Sequence, residues 1–157
     1  MNDDIGKKGE SKVREWLDNR LDEGYVIDRL YDPMGGLFGV SNPCDFIAYR
    51  YPNIYYIECK STWADRFDFA MISPGQMKAL TERSSVQGCQ CWVIVLFATY
   101  KRAFRFKASD IKSASDNDIK SLNIKKIDKW PVPYKELTTI PSKKLLLDYS
   151  DNLEDLM

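Results

Sequence analysis

The sequence predicts an α/β domain with a mixed central sheet flanked by helices, and three observations predict it. Helical spacing, strand-type runs and turn signals follow one another in the order helix, strand, hairpin, helix, strand, strand. The run CWVIVLFATY (91–100) is apolar on both faces, as a strand at the centre of a sheet must be. The chain has 157 residues, no internal repeat and no second-domain boundary, enough for one domain with a real core.

Residues 6–22 read as an amphipathic helix in which Val13, Trp16, Leu17 and Leu21 recur at helical spacing and Gly24 supplies a stop. YVIDRLY (25–31) reads as a strand, and DPMGGLFGVSNP (32–43), rich in Gly, Pro, Asn and Asp, as a flexible loop. In NPCDFIAYRYPNIYYIECKST (42–62), two aromatic-rich runs flank a Pro-Asn turn and form a hairpin, and STWADRFDFAMIS (61–73) follows as a polar segment. SPGQMKALTERSSVQG (73–88) is a punctuated helix, with Ser73 as cap, Pro74 at its first position and Gly88 past its end. AFRFKA (103–108) returns as a strand beside CWVIVLFATY, and SDIKSAS (109–115) reads as a short helix. WPVPYKEL and KKLLLDYS fit an extra helix and an edge strand, while DNLEDLM is expected to fray. The expected organisation is one domain, with a core at about 6–107, an extension at 108–150 and a loose tail at 151–157.

Composition narrows the chemistry. The N-terminus is polar without an apolar signal region, and no apolar run approaches the roughly 20 residues of a membrane span, so a soluble cytoplasmic domain is expected. Basic and acidic residues balance at 23 each, which gives no global argument for nucleic acid. Locally, KRAFRFK (101–107) puts Lys101, Arg105 and Lys107 on one strand face, opposite Arg102, Phe104 and Phe106, and GKKGESKVR (6–14) forms a second basic cluster. Each also fits a plain solvated surface. The absence of histidine excludes Ser-His-Asp and Cys-His nucleophiles and His-ligated zinc, leaving carboxylates, lysine, tyrosine or a metal-activated water. Cys44, Cys59, Cys89 and Cys91 lack zinc-like spacing and read as buried thiols.

The hairpin poses a problem, because Asp45, Glu58 and Lys60 interrupt runs that should be buried. With the turn at Tyr51 and Pro52, Asp45 lies opposite Glu58, and period-two alternation puts Asp45, Glu58 and Lys60 on one face at one end of the hairpin. Apposed carboxylates raise one another's pKa unless a cation neutralises them, and Mg2+ is held by one or two carboxylates plus substrate phosphates. Lys60 would reach the space beside such an ion. The same spacing also fits a simple ion pair of Lys60 with Asp45 or Glu58.

PCDFIAYRYPNIYYIECK resembles the bipartite motif of the PD-(D/E)xK nuclease superfamily, an Asp on one strand and Glu-x-Lys on the next. GKKGESKVREWLDNRLDEGYVIDR resembles the first helix and strand of that fold, and SPGQMKAL the Gln-led helix of RecU-type and Hjc-type Holliday junction resolvases. The resemblance spans residues 6 to about 107. It implies a restriction-endonuclease-like fold and a Mg2+-dependent endonuclease (Mn2+ substituting) that nicks DNA junctions symmetrically as a homodimer, in recombination and repair. Asp45 and Glu58 would hold the metal together with the backbone carbonyl of Cys59. Lys60 would assist the attacking water, Glu10 (Glu15 as a spare) would complete the acidic cluster, and Gln76 would position water or phosphate. Lys7, Lys8, Lys12, Lys101, Arg102 and Arg105 would track DNA phosphates, and Tyr25, Phe38 and Trp63 are aromatic candidates for wedging into a junction. A restriction- or repair-type nuclease on duplex DNA, a non-catalytic DNA-binding module and a protein with only a buried ion-pair cluster are the competing readings.

Overall fold

A computed structural model describes residues 2–31, 42–148 and 151–157. The loop expected at 32–43 lies almost wholly outside them, and so does Phe38. Helix α1 spans Asn2–Asp18. Strands β1 (Val26–Arg29), β2 (Phe46–Arg50) and β3 (Asn53–Thr62) follow, and β4 (Arg66–Asp68) precedes α2 (Pro74–Ser84). Strands β5 (Cys89–Phe97) and β6 (Arg102–Lys107) lead to α3 (Ala108–Asp116). The remaining strands are β7 (Ser121–Asn123), β8 (Lys135–Leu137), β9 (Thr139–Ile140) and β10 (Leu146–Leu147).

The main sheet has six strands in the order β1-β2-β3-β5-β6-β8. Its one parallel pair, β3 with β5, is joined through α2; the other neighbours are antiparallel. This is the mixed sheet the sequence predicts. Alternation along β3 and β5 sorts the core into two. Tyr55, Ile57, Trp92, Ile94 and Leu96 face α1, β10 and the C-terminal residues, while Val93, Val95 and Phe97 face α2, α3 and β4. Helix α2 carries the expected punctuation: the Ser73 hydroxyl accepts from the Gln76 N–H at 3.1 Å, and Pro74 occupies the first turn. Gly88 has φ +85°, and a Cβ there would lie 2.8 Å from the Pro52 carbonyl, so it is required twice, by conformation and by space.

Four expectations change. The first helix ends at Asp18 instead of 22, because the ladder tightens: the Arg20 N–H reaches the Leu17 carbonyl at 2.9 Å, and a 3-10 turn at Leu21–Glu23 closes on Gly24. Leu21 falls off the apolar face and is half exposed. The segment 61–73 is not merely polar, since β4 pairs with β7 and Phe67 is fully buried. WPVPYKEL forms the edge strand β8 and not a helix, because Trp130 packs among Phe97, Phe104, Phe106 and Tyr134 and holds the chain extended. Residues 151–157 do not fray. Asp151 accepts from the Thr138 N–H (2.7 Å) and hydroxyl (2.8 Å), Glu154 accepts from the Tyr25 hydroxyl (2.7 Å) and pairs with Arg50, and Leu153 and Leu156 are buried. Tyr25 is therefore a core residue, not a wedge.

Helix α1 packs along β3 and lies tightly against it at Gly9. A Cβ on Gly9 would lie 1.9 Å from the Ser61 hydroxyl oxygen and 3.1 Å from its Cβ. Gly9→Ala improves helix propensity by up to about 1 kcal/mol, but overpacking costs about 1–3 kcal/mol, so the clash wins. We expect Gly9→Ala to lower the free energy of unfolding by about 1 kcal/mol or more in a denaturant titration, and Ser61→Ala in the same chain to restore part of it. An unchanged or raised midpoint in Gly9→Ala would mean that α1 does not lie this close to the sheet.

Candidate active site

The site forms where β3 outruns β2. Their register, Phe46 opposite Ile57 through Arg50 opposite Asn53, is the one inferred from the Tyr51–Pro52 turn. Beyond Ile57, β3 continues for five residues paired only with β5. Asp45 fills the gap from a bend just before β2. Its N–H donates to the Ile57 carbonyl at 3.1 Å, and its carboxylate accepts from the Cys59 N–H at 2.8 Å. In an extended strand the N–H and C=O of one residue point to the same side, so the Cys59 carbonyl faces the same gap.

Glu58 is buried, and its Oε2 pairs with the Lys60 ammonium at 3.0 Å. Its other carboxylate oxygen is buried without a hydrogen-bond partner among the described residues. The Asp45 carboxyl is pushed up to about 7, first by burial, then by the charge of Glu58 and a hydrogen bond shared with it, against the Cys59 N–H and the Arg29 guanidinium, which lower it. Burial also raises the Cys59 thiol far above its ordinary value, so it stays protonated. All four cysteines are free thiols.

Arg29, at the end of β1, went unnoticed in the sequence. Its guanidinium is hydrogen-bonded to Glu10 of α1, donates to the Asp45 carbonyl at 3.1 Å and lies 3.8 Å from the Asp45 carboxylate. The signal was available, since YVIDRLY is another strand interrupted by charge. Glu10 therefore joins the site through Arg29. Among the described residues no three carboxylate or thiol side chains converge on one point, so the acidic trio expected of Glu10, Asp45 and Glu58 is a pair with Glu10 behind a cation. Glu15 is exposed one turn away. Gln76 is half-buried in the first turn of α2, a helix whose Arg83 lies over the Tyr56 ring and which runs back along β3, so its first turn lies toward the Lys60 end.

The basic residues divide. Lys7 and Lys8 are exposed on α1, Lys12 is half-buried there, and Lys101 is exposed in the β5–β6 turn. Arg105 is not a phosphate contact. It is buried on the α1 side of the sheet over the Trp92 ring, because the C-terminal residues cover the face that alternation assigned to it. Arg102 is engaged by both carboxylate oxygens of Glu136 on β8.

Asp45, in the bend before β2, and Glu58 and Lys60 on β3 thus stand together at the open edge of a mixed sheet. The family model described as Recombination protein U (RecU) matches residues 34–154. The chain belongs to the RecU family of Holliday junction resolvases, which are DNA nucleases. The match takes in residues 108–154, beyond the part in which the sequence alone shows a resemblance. A search of curated proteins returned no match. Among solved structures, the chain is similar to Hjc, a Holliday junction resolvase of the hyperthermophile Archaeoglobus fulgidus, at 20% identity over 64% of this chain and 77% of that one, with a TM-score of 0.44.

The Asp45–Glu58 pair dictates a pH dependence. The folded chain holds the Asp45 proton up to about pH 7 while the ordinary value is 3.8, so it binds the proton more tightly than the unfolded chain. This group's contribution is complete below the lower value and is lost as pH rises through the upper one. A divalent cation held by the ionised pair would reverse that loss. Mg2+ should raise the thermal midpoint at about pH 8 and do little at about pH 5. Equal shifts at both pH values would place the cation elsewhere.

Proposed function

We propose that the chain is a divalent-cation-dependent endonuclease that nicks four-way DNA junctions symmetrically as a homodimer, acting in the cytoplasm. The observation that carries this reading is the largely buried carboxylate pair at the open edge of β3, with Lys60 against it. An unpartnered buried oxygen on Glu58 and a mutually repelled pair fit a hard cation with oxygen ligands, Mg2+ or Mn2+. Asp45, Glu58 and the Cys59 carbonyl would hold it. When bound, such an ion supplies Lewis acidity toward the scissile phosphate and makes a water nucleophilic near neutral pH.

The chain's own groups do the rest. Lys60, about one-fifth exposed, orients the attacking water or stabilises charge growing on the phosphate oxygens. Arg29 fixes the Asp45 carboxylate and carries Glu10 as its counter-charge, so both act by positioning. Gln76 contacts water or phosphate from the first turn of α2. Lys7, Lys8, Lys12 and Lys101 track the backbone. Two-fold symmetry suits two symmetric nicks.

Asp45→Asn should abolish cleavage while leaving DNA affinity within a few-fold, because affinity comes mainly from phosphate contacts. Lys60→Ala should slow cleavage by orders of magnitude, and Lys60→Arg should rescue it poorly, since a planar guanidinium does not replace a compact ammonium. Wild-type turnover in either Asp45→Asn or Lys60→Ala would sink the assignment. A cleavage panel of junction, duplex, flap and single-stranded DNA tests the substrate, with preference for duplex favouring a restriction- or repair-type enzyme. Light scattering that gives a monomer both free and on a junction would contradict symmetric nicking.

A further inference from the structure

On the α1 side of the sheet, a groove of about 550 Å³ runs between α1 and the segment that leads into β10. Lys7 and Lys12 line it from one wall, Lys143 and Lys144 from the other, and the acid among the lining residues is Glu15. Burial, and then the charges of Lys144 and Lys8, hold the Lys12 ammonium below its ordinary range, as expected where like charges converge.

Charge is not the groove's only property. Its walls include Leu96 and Leu145, and Trp63, 57% exposed, stands at its mouth beside the β5–β6 turn, where the Thr99 hydroxyl donates to the Trp63 carbonyl at 2.7 Å. At its floor Ser61 is packed against Gly9 of α1, which closes the groove there. A duplex backbone would answer the lysines but leave the apolar walls and the indole face unfilled. An unpaired nucleotide answers all three, with its phosphate on lysine, its base on the indole and its sugar along the apolar walls. The volume is that of a small-ligand pocket.

We infer that this groove holds an unpaired nucleotide of the bound DNA strand, with its phosphate at Lys12, Lys143 and Lys144 and its base against Trp63. The inference rests on the nuclease reading for the identity of the polymer. Ser61 directly follows Lys60 and points to the opposite face of β3, so a strand leaving the carboxylate pair enters the groove by passing the end of β3 at Trp63. Unpaired bases occur where strands exchange at a junction, and this groove gives them a receiver separate from the cutting site.

The test uses the full chain in Ca2+ with single-stranded oligo-dT, a four-way junction and dTMP as probes. Oligo-dT should quench tryptophan emission. Trp63→Ala should remove the quenching, and Trp63→Ala and Lys144→Glu should each weaken oligo-dT binding by about tenfold. Lys144→Glu should also flatten the salt dependence by about one contact. Both positions are exposed, and unchanged thermal midpoints would confirm intact folds. Wild-type affinity and quenching in both variants would overturn the inference while leaving the nuclease reading untouched. Quenching by dTMP at the same nucleotide concentration as by oligo-dT would overturn it in favour of a mononucleotide site. Asp45→Asn separates the two readings, because it should keep the quenching and lose cleavage; cleavage that survives in Asp45→Asn would strike the nuclease reading alone.

Discussion

Asp45 and Glu58 repel each other in a setting too dry to screen them, and the fold keeps them together with a proton on Asp45 up to about pH 7. Strand β2 stops short, so the edge of β3 is open where the two carboxylates meet. The Cys59 N–H and Arg29 restrain Asp45 from one side, and Lys60 restrains Glu58 from the other. Each of these groups compensates part of the charge, and together they leave one buried oxygen of Glu58 unanswered. Glu10 then balances Arg29 and ties α1 to the arrangement. That link depends on Gly9, whose missing side chain lets the helix lie against Ser61.

The hairpin was legible because the Pro-Asn turn fixes the register, and the register fixes which residues face one another. The start of the helix at Pro74–Ser84 was legible because Ser73 and Pro74 occupy positions with distinct backbone demands; its end falls four residues before Gly88, at a Ser85 cap. Arg105 was misjudged for an instructive reason. Alternation says which residues share a face but not whether that face is covered, and its cover comes from residues far along the chain. Burial of so large a cation is tolerated because an indole face receives it, a partner that spacing along one strand cannot reveal. The C-terminal acids misled in the same way. Asp151 and Glu154 lie in the segment expected to fray, yet each is an acceptor for a specific donor elsewhere in the chain.

A net charge of zero conceals a division of the surface. The carboxylate pair opens on one side of β3, and the lysine groove lies on the other. Consecutive residues, Lys60 and Ser61, face these two environments because successive side chains in a strand alternate. A single strand thus separates a place suited to a cation from a place suited to an anion, and a polyanion that spans both must bend around its end.

The seating of Leu153 and Leu156 in the same core as Val13 and Trp16 bears on how the protein comes into being on the ribosome. The carboxylate pair and its strands belong to residues that emerge early, whereas Leu145, Leu147 and the C-terminal leucines emerge late and close the α1 side. A nascent chain can therefore assemble its acidic edge while one flank of its sheet is still bare. Until that flank closes, α1 has only part of its packing, and Gly9 and Glu10 lack a fixed seat. The strands of the acidic edge can thus pair early, while its Glu10–Arg29 link becomes fixed only with the C-terminal segment.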